Sequence, residues 1–155
     1  MSVEAGSYRT GANRTRSGLV TRIAPDPVNT AHDIGVAARI GTYSDAVEVA
    51  PGARWLALSG TPGMAPDGTI PSDFDAEATQ AWSNVCDALH KAGFTVDDLV
   101  KITQYLTNAE NIAAHAAIRA GFLGSARPAS MLVVVPALVW PQMTIEIEAW
   151  AARPE

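Results

Sequence analysis

The sequence predicts an α+β domain whose elements run strand-strand-helix-strand-helix-strand-strand, with two helices to cover one face of the sheet. Three observations carry that reading. The stretch RPASMLVVVPALVWPQMTIEIEAWA (Arg127–Ala151) opens as one apolar run and then alternates, as a half-exposed strand does. Between Asp75 and Ala92, Trp82, Val85, Cys86 and Leu89 recur at helical spacing. LVKITQYL (Leu99–Leu106) is rich in β-formers and sets Val100, Ile102, Gln104 and Leu106 on one side.

Taken in order, Ile23–Gly35 is punctuated by two prolines and reads as an irregular lead-in. DAVEVAPGARWLALSG predicts a hairpin: a strand over Ala46–Ala50, a turn at Pro51-Gly52 and a return strand over Arg54–Ser59. TPGMAPDGTIPSD is loop, with a turn at Asp67-Gly68. The first helix spans Asp75–Ala92 and stops at Gly93. Cys86 belongs to its apolar stripe and reads as a packing residue rather than a nucleophile. After the strand Leu99–Leu106, Asn108 is a suitable N-cap for a second helix that ends near Leu123-Gly124. Strands over Met131–Val135 and Met143–Ala151 close the chain. Two helices leave the other face of this apolar sheet bare, and self-association is the simplest way to cover it.

The 155 residues fit one domain with a real core, and 48% hydrophobic against 17% charged residues is a globular composition. Charge is unevenly placed. Residues 1–22 carry four arginines against one glutamate, a net of +3. The remainder carries seven Lys and Arg against fifteen Asp and Glu, a net of −8. An acidic body argues against nucleic acid as the partner. The basic arm reads as a disordered tail, dispensable for folding. No apolar run reaches the roughly 20 residues of a membrane-spanning helix, and no signal-peptide core opens the chain, so a cytoplasmic protein is expected. A lone cysteine excludes an internal disulfide and a Cys-rich metal site.

Familiar catalytic motifs are missing. There is no phosphate-binding loop, dinucleotide fingerprint or HExxH, and His32, His90 and His115 lack ligand spacing, reading as surface or packing residues. Ser59 stands outside any nucleophile elbow. What remains is the pair Glu146 and Glu148. Two residues apart on a strand, they share a face. Either both look at water or at least one looks into a site. For Glu148 the solvated reading is preferred; periodicity alone leaves Glu146 open.

Three blocks together, RIGTYSDAVEVAPGARWLALSGTPG, AWSNVCDALHKAGFTVDDLVKITQYL and RPAS…IEIEAWA, resemble the YjgF/RidA family of reactive-intermediate deaminases. The resemblance covers residues 39–153 and leaves 1–38 as an N-terminal extension. It implies a chorismate-mutase-like fold assembled as a homotrimer, bare sheet faces packed into a central barrel and clefts between subunits. It also implies cofactor-independent hydrolysis of imines and enamines of amino acids to 2-oxo acids and ammonia. Carried over by position, Tyr43 and Ser59 fall on cleft residues, with Gly60 beside the serine. Glu146 matches the carboxylate that activates the attacking water, a role a carboxylate can fill by relaying protons.

One departure bears on the substrate. Deaminating members carry an arginine where this chain has Ser130, and that guanidinium clamps the substrate carboxylate. A cleft asparagine is replaced by Ala116. Arg127 and Arg119 are candidate substitutes, although both are expected to be surface arginines. Two functions follow. Glu146 works on an imine-like or related metabolite while standard 2-imino-acid deamination is lost, or the protein is a non-catalytic trimer whose cleft, apolar around Leu132 and Trp140, binds a small ligand.

Overall fold

The structure is a computed structural model that describes residues 29–155; the basic arm lies outside the described residues. Its elements are β1 (Thr30–His32), α1 (Ala37–Ile40), β2 (Ala46–Glu48), β3 (Arg54–Pro62), α2 (Phe74–Lys91), β4 (Leu99–Leu106), α3 (Ile112–Leu123), β5 (Ala129–Val134) and β6 (Ile145–Arg153). The main sheet has the order β3-β6-β4-β5, with β4 and β5 parallel and the other neighbours antiparallel.

The α2 helix starts where Asp73 accepts a hydrogen bond from the Ala76 N–H, and Asp75 and Glu77 place negative charge at its positive end. It ends at Gly93, which takes φ +77°, a conformation that suits glycine. Trp82, Val85 and Leu89 are fully buried, together with Ala78 and Ala81, whereas Cys86 sits half-buried at the edge of this stripe. They pack on Leu58, Ile102, Leu106, Ile145 and Ile147 from the sheet, and Leu123 brings α3 into the same core. Burial pushes the Cys86 thiol up, with Asp87 adding to it, which keeps the group protonated and unreactive.

The predicted hairpin is not formed. Its turn is present, with the Ala53 N–H donating to the Ala50 carbonyl and Gly52 at φ +74°, but β2 pairs with β1 instead of with β3. The lead-in thus supplies a strand where irregular chain was expected. Asn29 fastens that segment down by donating to the Ala152 carbonyl and accepting from the Ala50 N–H.

Among the described residues, nothing covers the opposite face of the sheet. Trp55 and Met131 are each 54% exposed and Trp150 is 42% exposed, with the two tryptophans edge-to-face at 6.5 Å. Large side chains at such exposure mark a surface built to be covered. Glu146 and Glu148 stand on this same face, half-buried, while Ile145, Ile147 and Ala149 between and beside them are fully buried.

Candidate functional site

One end of the candidate site is a cavity of about 420 Å³ along the free edge of β5, closed on its other side by α3 and the segment after α1. Tyr43, Ser130 and Leu132 line it, as does Ala116. Tyr43 is held at that edge because its neighbour Ser44 is stitched to the start of β5. The Ser44 N–H donates to the Pro128 carbonyl at 3.3 Å and the hydroxyl to the Arg127 carbonyl at 2.6 Å. Trp140, expected near this cleft, is 45% exposed and not part of the lining.

Arg119 is not a surface residue. It is 8% exposed and lines the cavity, because it falls on the buried stripe His115, Arg119, Leu123 of α3. That spacing of i, i+4 and i+8 points all three side chains inward. Nη1 donates to Ser130 Oγ at 3.2 Å and to Gln104 Oε1 at 3.3 Å, and Nη2 to Thr42 Oγ1 at 3.5 Å. Gln104 is itself fully buried and donates to Ser130 Oγ and the Met131 carbonyl, which fixes its oxygen toward the guanidinium. Burial pulls Arg119 below its ordinary pKa, an effect the Tyr43 hydroxyl opposes and Arg127 reinforces. Even so, a guanidinium stays charged at neutral pH. Arg127, the other candidate, is exposed and spends its guanidinium on the carbonyls of Gly124 and Ala126.

His115 is fully buried against the cavity, stacked on Trp82 at 6.4 Å, and neither ring nitrogen has a partner. Burial, with the Arg119 charge beside it, lowers its pKa to about 4, so the ring is neutral at pH 7. Among the described residues no three His, Cys, Asp or Glu side chains are grouped to hold a metal.

The other end of the site lies on the bare face, where Ser59, Gly60 and Glu146 come together. The register of β3 on β6 slips between Leu58 and Thr61, so Ser59 and Gly60 form a bulge opposite Glu148. The Glu146 side chain lies across Gly60 so closely that a Cβ there would overlap its carboxylate. Only glycine leaves that space open. Two further anchors hold this region. Glu77 of α2, 1% exposed, accepts from both the N–H and the hydroxyl of Thr144 just before β6. Asn84 donates to the carbonyls of Pro62 and Met64 just after the bulge.

A single chain does not unite the two ends. Ser130 bonds to Gln104 on the helix-covered side, whereas Glu146 is on the bare side and β4 separates their strands. At ~4.8 Å per strand, β5 and β6 run about 10 Å apart. Of the six residues predicted for the site, Tyr43, Ser130 and Leu132 thus meet at the cavity, and Ser59, Gly60 and Glu146 meet at the bulge. Sequence reasoning placed Arg119 on the surface and left His115 between surface and packing; neither position is predicted as part of the site.

Comparison with known proteins places the chain. The profile of the family described as Endoribonuclease L-PSP matches residues 35–153. A RutC family protein of Pyrococcus horikoshii is 29% identical over 116 residues, which are 74% of this chain and 89% of that protein. Among solved structures, a Rid-family protein of unknown function from Yersinia pestis superposes with a TM-score of 0.72 at 29% identity, covering 81% of this chain and 98% of that one. RidA from an Antarctic Psychrobacter gives a TM-score of 0.61 at 30% identity over 72% of this chain and 89% of its own. TdcF of E. coli, solved with bound serine, gives 0.61 at 29% over 74% and 90%.

Proposed function

This chain belongs to the Endoribonuclease L-PSP family, which includes the YjgF and Rid proteins, and from that premise we propose that it is a small-molecule enzyme whose site is completed between subunits of a homotrimer. The observation that carries the proposal is the split site. Its cavity at the free edge of β5 and its carboxylate on the bare face of β6 lie two strands apart, so a shared ligand requires a second copy to bring its bulge against the cavity edge. The exposed Trp55, Met131 and Trp150 give that second copy an apolar face to cover.

The chemistry proposed is addition of water to an imine-like carbon. Glu146 accepts a proton as the water oxygen bonds to carbon, and the electron pair of the C=N bond moves to nitrogen. Glu146 then returns the proton to nitrogen, giving a carbinolamine; it next takes the hydroxyl proton and passes it to the amine, so that the C–N bond breaks as the C=O bond forms and a carbonyl compound and ammonia leave. A carboxylate fixed over a glycine bulge can carry these successive proton transfers without a cofactor. TdcF was solved with serine bound, so a relative does hold a small amino acid. The acidic body of the chain gives no electrostatic footprint for RNA, and a nuclease role is not proposed. The second reading, a non-catalytic trimer that binds a small ligand, is favoured by one observation: a serine stands where deaminating members carry their arginine.

Imines made in place by an amino-acid oxidase supply the test. Wild type should speed ammonia release, and Glu146→Gln should lose that effect by roughly 10²–10⁴-fold while sedimenting as a trimer. A subunit-sized mass at micromolar concentration, or a Glu146→Gln variant as active as wild type, overturns the proposal.

A further inference from the structure

Arg119 is a buried cation for which the described residues supply no anion. Among the described residues the only ion pair joins His32 to Glu48, on the exposed side of the small sheet. All three groups that Arg119 does touch, Gln104, Ser130 and Thr42, are neutral, and each contact is long, 3.2 to 3.5 Å. Its Nε has no partner among the described residues. A guanidinium paired with a carboxylate closes to about 2.7–2.9 Å and uses two N–H groups at once. A charge taken out of water without such a partner is heavily disfavoured, and proteins retain it where something else supplies the counter-charge.

The cavity in front of it has room for that something else. His115, one turn before Arg119 on α3, adds two unpartnered ring nitrogens with no exposure to solvent, so two polar side chains await partners in the same place. The surrounding wall is apolar, formed by Ile40, Ile112 and Leu132. A single cation beside a neutral imidazole and two hydroxyls, Tyr43 and Ser130, balances one negative charge rather than two.

On the reading that this cavity is half of a small-molecule site, we infer that Arg119 binds the carboxylate of a small organic acid with an apolar body, gripping it from helix α3 instead of from strand β5. The substrate class is thereby an acid, not a neutral compound, despite Ser130. His115 lines the same cavity as a neutral ring.

Calorimetric titration with straight-chain C4 to C8 carboxylates and benzoate, each against its own amide and against inorganic phosphate, tests this on the full-length protein. Wild type should prefer acid to amide. Arg119→Gln should weaken acid binding by roughly 10- to 100-fold and abolish the preference. Arg119→Gln combined with Ser130→Arg should restore it, since Ser130 lies within hydrogen-bonding distance of the guanidinium it would replace. If the variants fail to fold, phenylglyoxal labelling of wild type followed by peptide mapping gives the same answer. The acid, and not the amide, should protect Arg119.

No acid preference in wild type, unchanged preference in Arg119→Gln, or phosphate binding as tightly as the best carboxylate overturns the inference. Its failure is distinct from failure of the proposed reaction. Arg119-dependent binding without turnover sinks only the chemistry. Glu146-dependent turnover that ignores Arg119 sinks only the clamp.

Discussion

Arg119 and His115 are buried within the fold, whereas Glu146 lies on a sheet face that the described residues leave bare. The enclosed half is finished within one subunit, with side chains held by Gln104, Ser130 and Trp82 and a ready cavity. The open half has its carboxylate positioned over Gly60, half-buried on the uncovered face. The difference separates two jobs. On the proposed function, recognition is preorganised at the level of the fold, and chemistry is switched on by assembly. An isolated subunit would then bind weakly through its cavity and turn nothing over, which makes the two halves separable by mutation.

The largest effect that tests this separation is at Gly60. In Gly60→Val the new side chain must displace the Glu146 carboxylate, which is the flexible end of a side chain on an uncovered face. Turnover should fall by roughly 10²-fold or more, as expected for a misplaced acid–base group, while acid binding at the cavity stays near wild type. Steady-state kinetics beside calorimetry check it. Equal losses in binding and turnover would mean that the halves are not independent.

Acid titration probes the enclosed half. His115 has a pKa of about 4 in the folded chain, set first by burial and then by the Arg119 charge, against an ordinary value of 6.5. Above pH 6.5 the ring is neutral whether the chain is folded or not, and it contributes nothing to pH dependence. Between pH 6.5 and about 4 the unfolded chain takes up a proton that the folded chain refuses. Stability therefore falls with pH across that window, by about 3 kcal/mol in all. Urea unfolding at pH 7 and pH 4.5 should show most of this loss in wild type and little of it in His115→Phe. A bound carboxylate should change the slope, since it neutralises Arg119; Glu146→Gln should not.

How much of this was readable from the sequence follows the same division between what one chain decides and what its surroundings decide. Strand Leu99–Leu106 was placed to the residue and α2 to within one, because strict alternation and a clear stripe with a glycine stop are local signals. The hairpin failed for a non-local reason. Its turn formed, but Ala46–Glu48 found its partner in Thr30–His32, a segment that nearby prolines made look irregular. The inward stripe of α3 was hidden because that helix is alanine-rich and apolar nearly all round, so hydropathy shows no preferred face. The signal was in the spacing of His115, Arg119 and Leu123. A polar pair at i and i+4 followed by a leucine at i+8 can be a buried functional stripe as readily as a solvated one. Glu146 was identified by resemblance alone, and the bulge that positions it is not a feature alternation can reveal.

The smallest effect is expected at Glu148, and it discriminates most sharply within the open half. Glu146 and Glu148 share the bare face and similar half-burial, so neither orientation nor exposure separates them. Neighbours do. Glu148 stands across from the bulged pair Ser59 and Gly60 and beside Thr103 of β4, in the middle of the sheet. Glu146 lies across from Pro62 and Tyr105, nearer the end of the ladder, with its carboxylate directed back over Gly60. Successive same-face residues on a strand are about 6.8 Å apart, too far for one to replace the other at a reacting atom. Glu148→Gln removes the second charge on this face and leaves the Glu146 carboxylate over Gly60. The maximal rate should stay within about threefold of wild type, since no proton passes through position 148. Rate profiles for the two single variants, measured side by side, decide the matter. A loss in Glu148→Gln as deep as that in Glu146→Gln would show that the carboxylates act as a pair.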